Sequence, residues 1–257
     1  MKKDEFEARF APETTEIAAV IAPSGFGAGR GGKEKHWTVN AKITAWQDIE
    51  GSEVHAAENC CLTALVENTE ELSEKLEANS IITAKVRKGE KDFLICEIKK
   101  SSKTFPLLEK VLEEQIKPVY YEDEVLGTFT LEKRVNMYEG KIDWFGEEIR
   151  MTFLDDDEEY MRSTISMLRG FAADQKDWDT KAREFVARQL TDLANEWQED
   201  EEITKEQFAK RIILNVISTY GDGDFTFWFN DDDIFFGHSI IVTGTIENGF
   251  EDAEIAG

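Results

Sequence analysis

The stretch "FTFWFNDDDIFFGHSIIV", Phe225 to Val242, places three consecutive aspartates, Asp231, Asp232 and Asp233, just ahead of His238, one of three histidines in the chain. Upstream, Asp222 and Asp224 alternate with glycine in "GDGD". Carboxylates beside an imidazole can hold a divalent cation or exchange a proton with a substrate. The spacing excludes an EF-hand, whose oxygens come from alternate positions with glycine at the sixth and glutamate at the twelfth. Asp, Asn and Gly are also what tight turns require, and successive turns of a meander lie at opposite ends of a sheet. The aspartates therefore read as solvated turns, with no metal, cofactor or catalytic residue assigned. A cation site or metal-dependent enzyme built on His238 with Asp222, Asp224 or Asp231 to Asp233 is the rival reading.

Phe225, Phe227 and Phe229 alternate with Thr226 and Trp228, so the phenylalanines face a core and Trp228 faces away from it. A rigid aromatic beside an acidic turn suits a partner contact. His238 is expected on a strand, sharing an apolar face with Ile240 and Val242, as a hydrogen-bonded structural residue. The expected partner-binding set is Trp228, Asp231, Asp232, Asp233 and His238.

Other chemistry fits less well. Gly27, Gly29 and Gly32 match a dinucleotide pattern, and Gly27, Gly32 and Lys33 match a P-loop. Both need a helix to begin at the loop, whereas "HWTVNAKITAW" alternates as a strand, and Glu34 occupies the P-loop's hydroxyl position. Cys60, Cys61 and Cys96 are an odd set with no C-x-x-C pair, so they read as reduced thiols. No G-x-S-x-G occurs, and no histidine stands at a recognisable spacing from a nucleophile.

The elements that must position these residues suggest an α+β chain of two domains. "EIAAVIAP" reads as a strand ended by proline, and "CCLTALV" and the hairpin "SIITAKVRKGEKDFLICEIKK" add further strands. Leu72 and Leu76 share one face of a short helix, and Pro106 opens a closing helix that ends before Pro118. Residues 1–118 thus form a mostly β domain, for which a barrel is one arrangement. Residues 119–125 read as a linker, and 126–257 as an α+β domain of β-meander, two to three helices and antiparallel β-meander. Trp178, Ala182, Phe185, Val186, Gln189, Leu190, Leu193 and Trp197 trace one helical stripe, "EDEE" breaks it, and Thr204 with Gln207 opens a third helix through a capping box. Strands "RIILNVISTY", "FTFWF", "IFFGHSIIVTGTI" and "FEDAEIA" follow, the last pair joined at Asn248-Gly249.

The formal net charge of -24 is unevenly spread, with -4 over residues 1–120 and -20 over 121–257. Such a surface repels nucleic acid and anionic membrane and attracts basic proteins or cations. No segment is apolar enough to span a bilayer, and the N-terminus lacks the apolar core of a signal peptide. A cytoplasmic location is the expectation.

The end of the chain, with Phe227, Phe229, the acidic turn, Phe236-Gly237-His238, Ile240, Val242, Ala253 and Gly257, resembles a bacterial family of unknown function, number twenty-two sixty-two. "LGTFTLEKRVNMYEGKIDWFGEEI" resembles that family's start, and the unit ending in "IKPV" resembles its companion module. The resemblance covers about Leu126 to Gly257 and implies no activity or catalytic residue. By analogy, small acidic bacterial domains serve as immunity proteins beside toxins. The functional expectation is a non-enzymatic module whose acidic domain binds a basic protein partner, a neutralised toxin being one form. Nucleic-acid mimicry by the acidic face is a third, weaker reading.

Overall fold

The computed structural model describes residues 3–197 and 202–257, so the acidic break after Trp197 falls largely outside the described residues. The chain divides into two compact units, the first running to Lys117 and including Lys133–Val135, the second comprising Pro118–Glu132 and Asn136–Gly257.

The first unit begins with a short helix, α1 (Lys3–Glu7), and is built on a closed barrel. Its strands are β1 (Thr14–Gly29), β2 (Trp37–Asp48), β3 (His55–Val66), β4 (Ile81–Lys88) and β5 (Phe93–Lys99), in the order β1-β2-β3-β5-β4. β1 pairs with β4 to close the ring, and β3 meets β5 in parallel at Leu62 and Thr63. Alternating residues such as Ile17, Val39, Ile43, Leu62 and Val86 fill the interior. Leu76, at the end of α2 (Glu70–Lys75), joins that core.

α3 (Pro106–Ile116) lies outside the barrel, packing Leu108 with Val111 and Leu112 against Ala18, Val20 and Ala45. Gln115 fixes its C-terminal end, accepting from Thr44 Oγ1 at 2.7 Å and donating to the Ile21 carbonyl at 2.8 Å.

One expectation is corrected here. Pro23 does not end the first strand, because the pairing with β2 slips between Ile21 and Phe26 and then resumes. Gly25, at φ 63°, supplies the left-handed conformation within that irregularity. The glycines therefore lie mostly in β1, and β2 follows the remaining loop without a helix.

The second unit is a single eight-stranded sheet. Its first four strands are β6 (Tyr120–Asp123), β7 (Gly127–Glu132), β8 (Met137–Trp144) and β9 (Glu147–Leu154). Three helices follow, α4 (Glu158–Ala173), α5 (Gln175–Trp197) and α6 (Lys205–Arg211). The chain ends with β10 (Ile213–Thr219), β11 (Asp224–Asn230), β12 (Ser239–Thr245) and β13 (Gly249–Ala256). Spatial order follows chain order from β6 to β13. Every neighbouring pair is antiparallel except β9 and β10, a parallel seam joining two meanders.

The expected linker 119–125 is corrected by β6, which pairs Tyr120 to Asp123 with β7. Its anchor is Asp123, whose carboxylate takes Arg169 Nη2 at 2.7 Å and the Val125 and Leu126 N–H groups at 2.9 Å each. Burial acts to raise the Asp123 carboxyl, but the Arg169 and backbone hydrogen bonds, with the guanidinium charge, hold it below the usual carboxylate range.

The helices bury their apolar stripes against one face of the sheet, where Phe153, Phe225, Phe227 and Phe229 meet Leu168, Phe171, Ala182, Val186, Leu190 and Phe208. Asp157 caps α4 by accepting from the Tyr160 N–H. α6 starts with the Thr204–Gln207 capping box. Among the described residues, no helix is long and apolar enough to cross a membrane.

Candidate functional site

The acidic turn is a built loop in which Asp232 and Asp233 are exposed, as expected, but Asp231 is not. Asp231 is only 4% exposed, and its carboxylate accepts the N–H groups of Phe235 at 2.6 Å, Gly237 at 3.1 Å and Asp233 at 3.3 Å. The backbone it ties down is unusual. Asp232, Asp233, Phe236 and Gly237 have φ of 49°, 61°, 56° and 84°, the left-handed region that aspartate and glycine tolerate and phenylalanine does not. Such a residue costs about 1 kcal/mol or more, so surrounding bonds must hold it.

Those bonds come from the helical side of the unit. Arg211, closing α6, donates to Asp232 Oδ2 at 2.8 Å and to the Asp232 carbonyl at 2.7 Å. Trp197, closing α5, stacks on Phe236 with ring centres 5.8 Å apart and meets Phe235 and His238 edge-on. Phe236 nonetheless remains 67% exposed.

His238 precedes β12 rather than lying within it, so the expected long strand from Ile234 is corrected: the loop runs to His238 and pairing begins at Ser239. The ring's Nδ1 contacts the Phe235 carbonyl, which can only accept, so Nδ1 carries the hydrogen. Gly257 packs against the ring's other edge, since a Cβ there would stand 2.3 Å from Cδ2. His238 is thus a half-buried structural residue of the loop.

Trp228 stands elsewhere. It alternates with the buried phenylalanines and so points to the face of the sheet without helices. Strand register aligns Arg150, Val216, Trp228, Ile241 and Glu254 across that face. The next row contains Glu139, Thr152, Ser218, Thr226, Thr243 and Asp252, with Thr152 and Ser218 hydroxyls bonded at 2.8 Å. The residues expected to act together are therefore split: Asp231, Asp232 and His238 are engaged within the loop or with helix ends, whereas Trp228 centres an apolar row on the opposite face. Ile241, Val216, Glu254 and Asp252 were missed because only register reveals that they join Trp228.

The cation reading finds no convergent donors. Asp222 and Asp224 lie at the start of β11, and Asp231 to Asp233 follow its end. Seven strand residues separate the groups by roughly 20 Å. Among the described residues, no three His, Cys, Asp or Glu side chains form a metal-holding group.

The cysteines are unsuited to nucleophilic work. Burial first, then the neighbouring Asp92 and Cys61, pushes the Cys60 thiol up to about 11, and burial also raises Cys61 and Cys96. His36 and His55 are engaged locally, His36 lying 3.8 Å from Glu67 and His55 stacking on Trp46 at 4.4 Å.

A groove of about 1100 Å³ opens beside α5 and α6, with Ala187, Ala209, Ile212 and Ile213 among its lining residues. Its central charges are already committed: Asp179 takes Arg183 Nε at 2.7 Å and Trp144 Nε1 at 3.2 Å. Arg183 also donates to the carbonyls of Ala209 and Ile212, tying the end of α6 to α5. The rim carries both signs, Glu147, Glu184 and Glu206 with Lys205 and Lys210, and so selects no ligand charge.

Two family models match the chain. Residues 123–255 match DUF2262, described as an uncharacterized protein conserved in bacteria, and residues 2–117 match DUF7021, a domain of unknown function. No curated protein matches.

Proposed function

Since the chain belongs to the DUF2262 family of uncharacterized bacterial proteins, its activity has to be sought in its own surfaces, and we propose that its acidic C-terminal unit is a non-enzymatic module that binds a basic protein in the cytoplasm. Neutralising a toxin by occlusion is one form this role takes. The observation that carries the proposal is the helix-free face of the sheet. There the apolar row Val216, Trp228 and Ile241 is flanked by Asp252 and Glu254, in a unit holding most of the chain's -24 charge. Buried aromatic anchors within a charged rim are the usual source of affinity and orientation at protein interfaces. Phe236 and Asp233, exposed on the loop at the sheet's end, offer further aromatic and polar contacts.

The test compares the intact protein with Trp228→Ala and with Asp252→Lys/Glu254→Lys in cross-linking to host proteins. A basic partner captured by the native chain, lost in both variants and weakened by about 0.5 M salt, supports the reading. Identical capture by all three proteins would sink it.

A further inference from the structure

The two edges of the C-terminal sheet differ in a way that specifies how a partner would attach. β6 is four residues long and is pinned beside its end by Asp123 and Arg169, whereas β13 is eight residues long and, among the described residues, pairs with β12 alone. A strand on a sheet edge leaves alternate N–H and C=O groups unpaired, and proteins commonly guard such edges with lysine, proline, bulges or a covering segment. β13, GFEDAEIA, has neither lysine nor proline. A register slip between Thr243 and Gly244 leaves Glu251 unmatched, and beyond it Asp252 to Ala256 pair regularly with Thr243 to Ser239.

Charge and side-chain direction add to the open backbone. Ala253 and Ile255 oppose Val242 and Ile240 and pack against the core. Asp252 and Glu254 oppose Thr243 and Ile241, so they project on the helix-free face beside Trp228. Among the described residues neither carboxylate has a basic partner; Asp252 accepts only the N–H of Ala253. An edge that offers free hydrogen bonds and unpaired negative charge, next to an apolar row, fits one occupant: an extended segment with a lysine or arginine at every second position.

We infer that β13 receives such a segment of the basic partner as a ninth strand, its main chain bonding Asp252 to Ala256 and its cationic side chains meeting Asp252 and Glu254 on the Trp228 face. The inference rests on the partner-binding reading above and adds the mode of attachment. Main-chain pairing supplies affinity that is indifferent to side chains, and alternate side-chain contacts supply selectivity.

The probe is a capped peptide of alternating lysine and threonine, about as long as β13. A second peptide has the same sequence but N-methylated amides along one edge, which keeps charge and removes main-chain donors. Both are titrated against the full chain at low salt, with tryptophan fluorescence for affinity and hydrogen exchange for location. The expected result is new amide protection confined to Asp252–Ala256 and binding about tenfold weaker for the methylated peptide, a difference of about 1.4 kcal/mol. The Asp252→Lys/Glu254→Lys chain, checked by circular dichroism for an intact fold, should lose binding of both peptides.

Equal affinity for the two peptides, or binding without protection in β13, overturns strand addition while leaving the acidic face as the docking surface. Absence of binding by either peptide to the native chain at low salt overturns both readings.

Discussion

Replacing Asp231 by asparagine keeps its size but exchanges an acceptor oxygen for a donor inside a loop that needs acceptors. The three N–H groups it satisfies would compete for the remaining oxygen, and leaving a buried N–H unpaired costs about 1–3 kcal/mol. Asp231→Asn should therefore lower stability by about 2 kcal/mol in urea unfolding and speed hydrogen exchange at Phe235 and Gly237. Calcium, magnesium, manganese or zinc at millimolar concentration should leave the melting temperature unchanged, because Asp222 and Asp224 sit at the far end of β11 from Asp231 to Asp233. A tightly held cation would raise it by mass action. That a turn follows Asn230 was legible from the run of aspartates, and so was the inward set of phenylalanines. The inequality of the three aspartates was not. Asp231 and Asp232 are chemically identical, and only the loop's closure decides that one is an internal acceptor and the other a partner for Arg211. Phe236 looked like strand sequence because nothing in its type announces a positive φ.

The first strand of the sheet depends on one ion pair. Asp123 has a side chain 1% exposed, against 48% for Arg169; an amide there can keep one oxygen for the Val125 and Leu126 N–H groups but turns a donor toward the Arg169 guanidinium and removes the charge that pairs with it. Asp123→Asn should cost about 2 kcal/mol and loosen β6, read as faster amide exchange at Tyr120 to Asp123. Because the folded carboxyl lies below its unfolded value, its stabilisation is complete above the ordinary aspartate range near 3.9 and is lost as pH falls through the lower folded value. Acid unfolding of the native chain should thus show a loss below about pH 4 that is smaller in Asp123→Asn. The long helix and the capping box at Thr204 were readable because period and cap chemistry are local. β6 was not: "VYYED" is short, half polar and follows a proline, and its strand character comes from pairing with β7. The continuation of β1 past Pro23 was hidden for a related reason, since proline is tolerated at an irregularity that only the partner strand reveals.

Two separate cores imply two separable folding units. The first unit encloses a barrel interior, and the second, from Pro118 on except Lys133–Val135, buries the aromatic set centred on Phe171, Phe225 and Phe227. Expressed apart, each piece should melt cooperatively in circular dichroism, and the C-terminal piece alone should retain salt-sensitive binding of a basic peptide. The split was visible in the sequence as a change of charge and as the proline, Pro118, that ends the closing helix. The single eight-stranded sheet was not, because "EIRMTFL" and "RIILNVISTY" give no sign that they lie side by side. That pairing has a bearing on the time course of folding. Each meander can zip up through short turns, but β9 reaches β10 only after the helices α4, α5 and α6 have been laid across the sheet. Contacts that close so long a stretch of chain form slowly, so the halves should collapse early and wait for one another. Weakening α4 or α5, for instance by Leu168→Ala, should then retard refolding more than it hastens unfolding, and the helical insert becomes the clock of the domain.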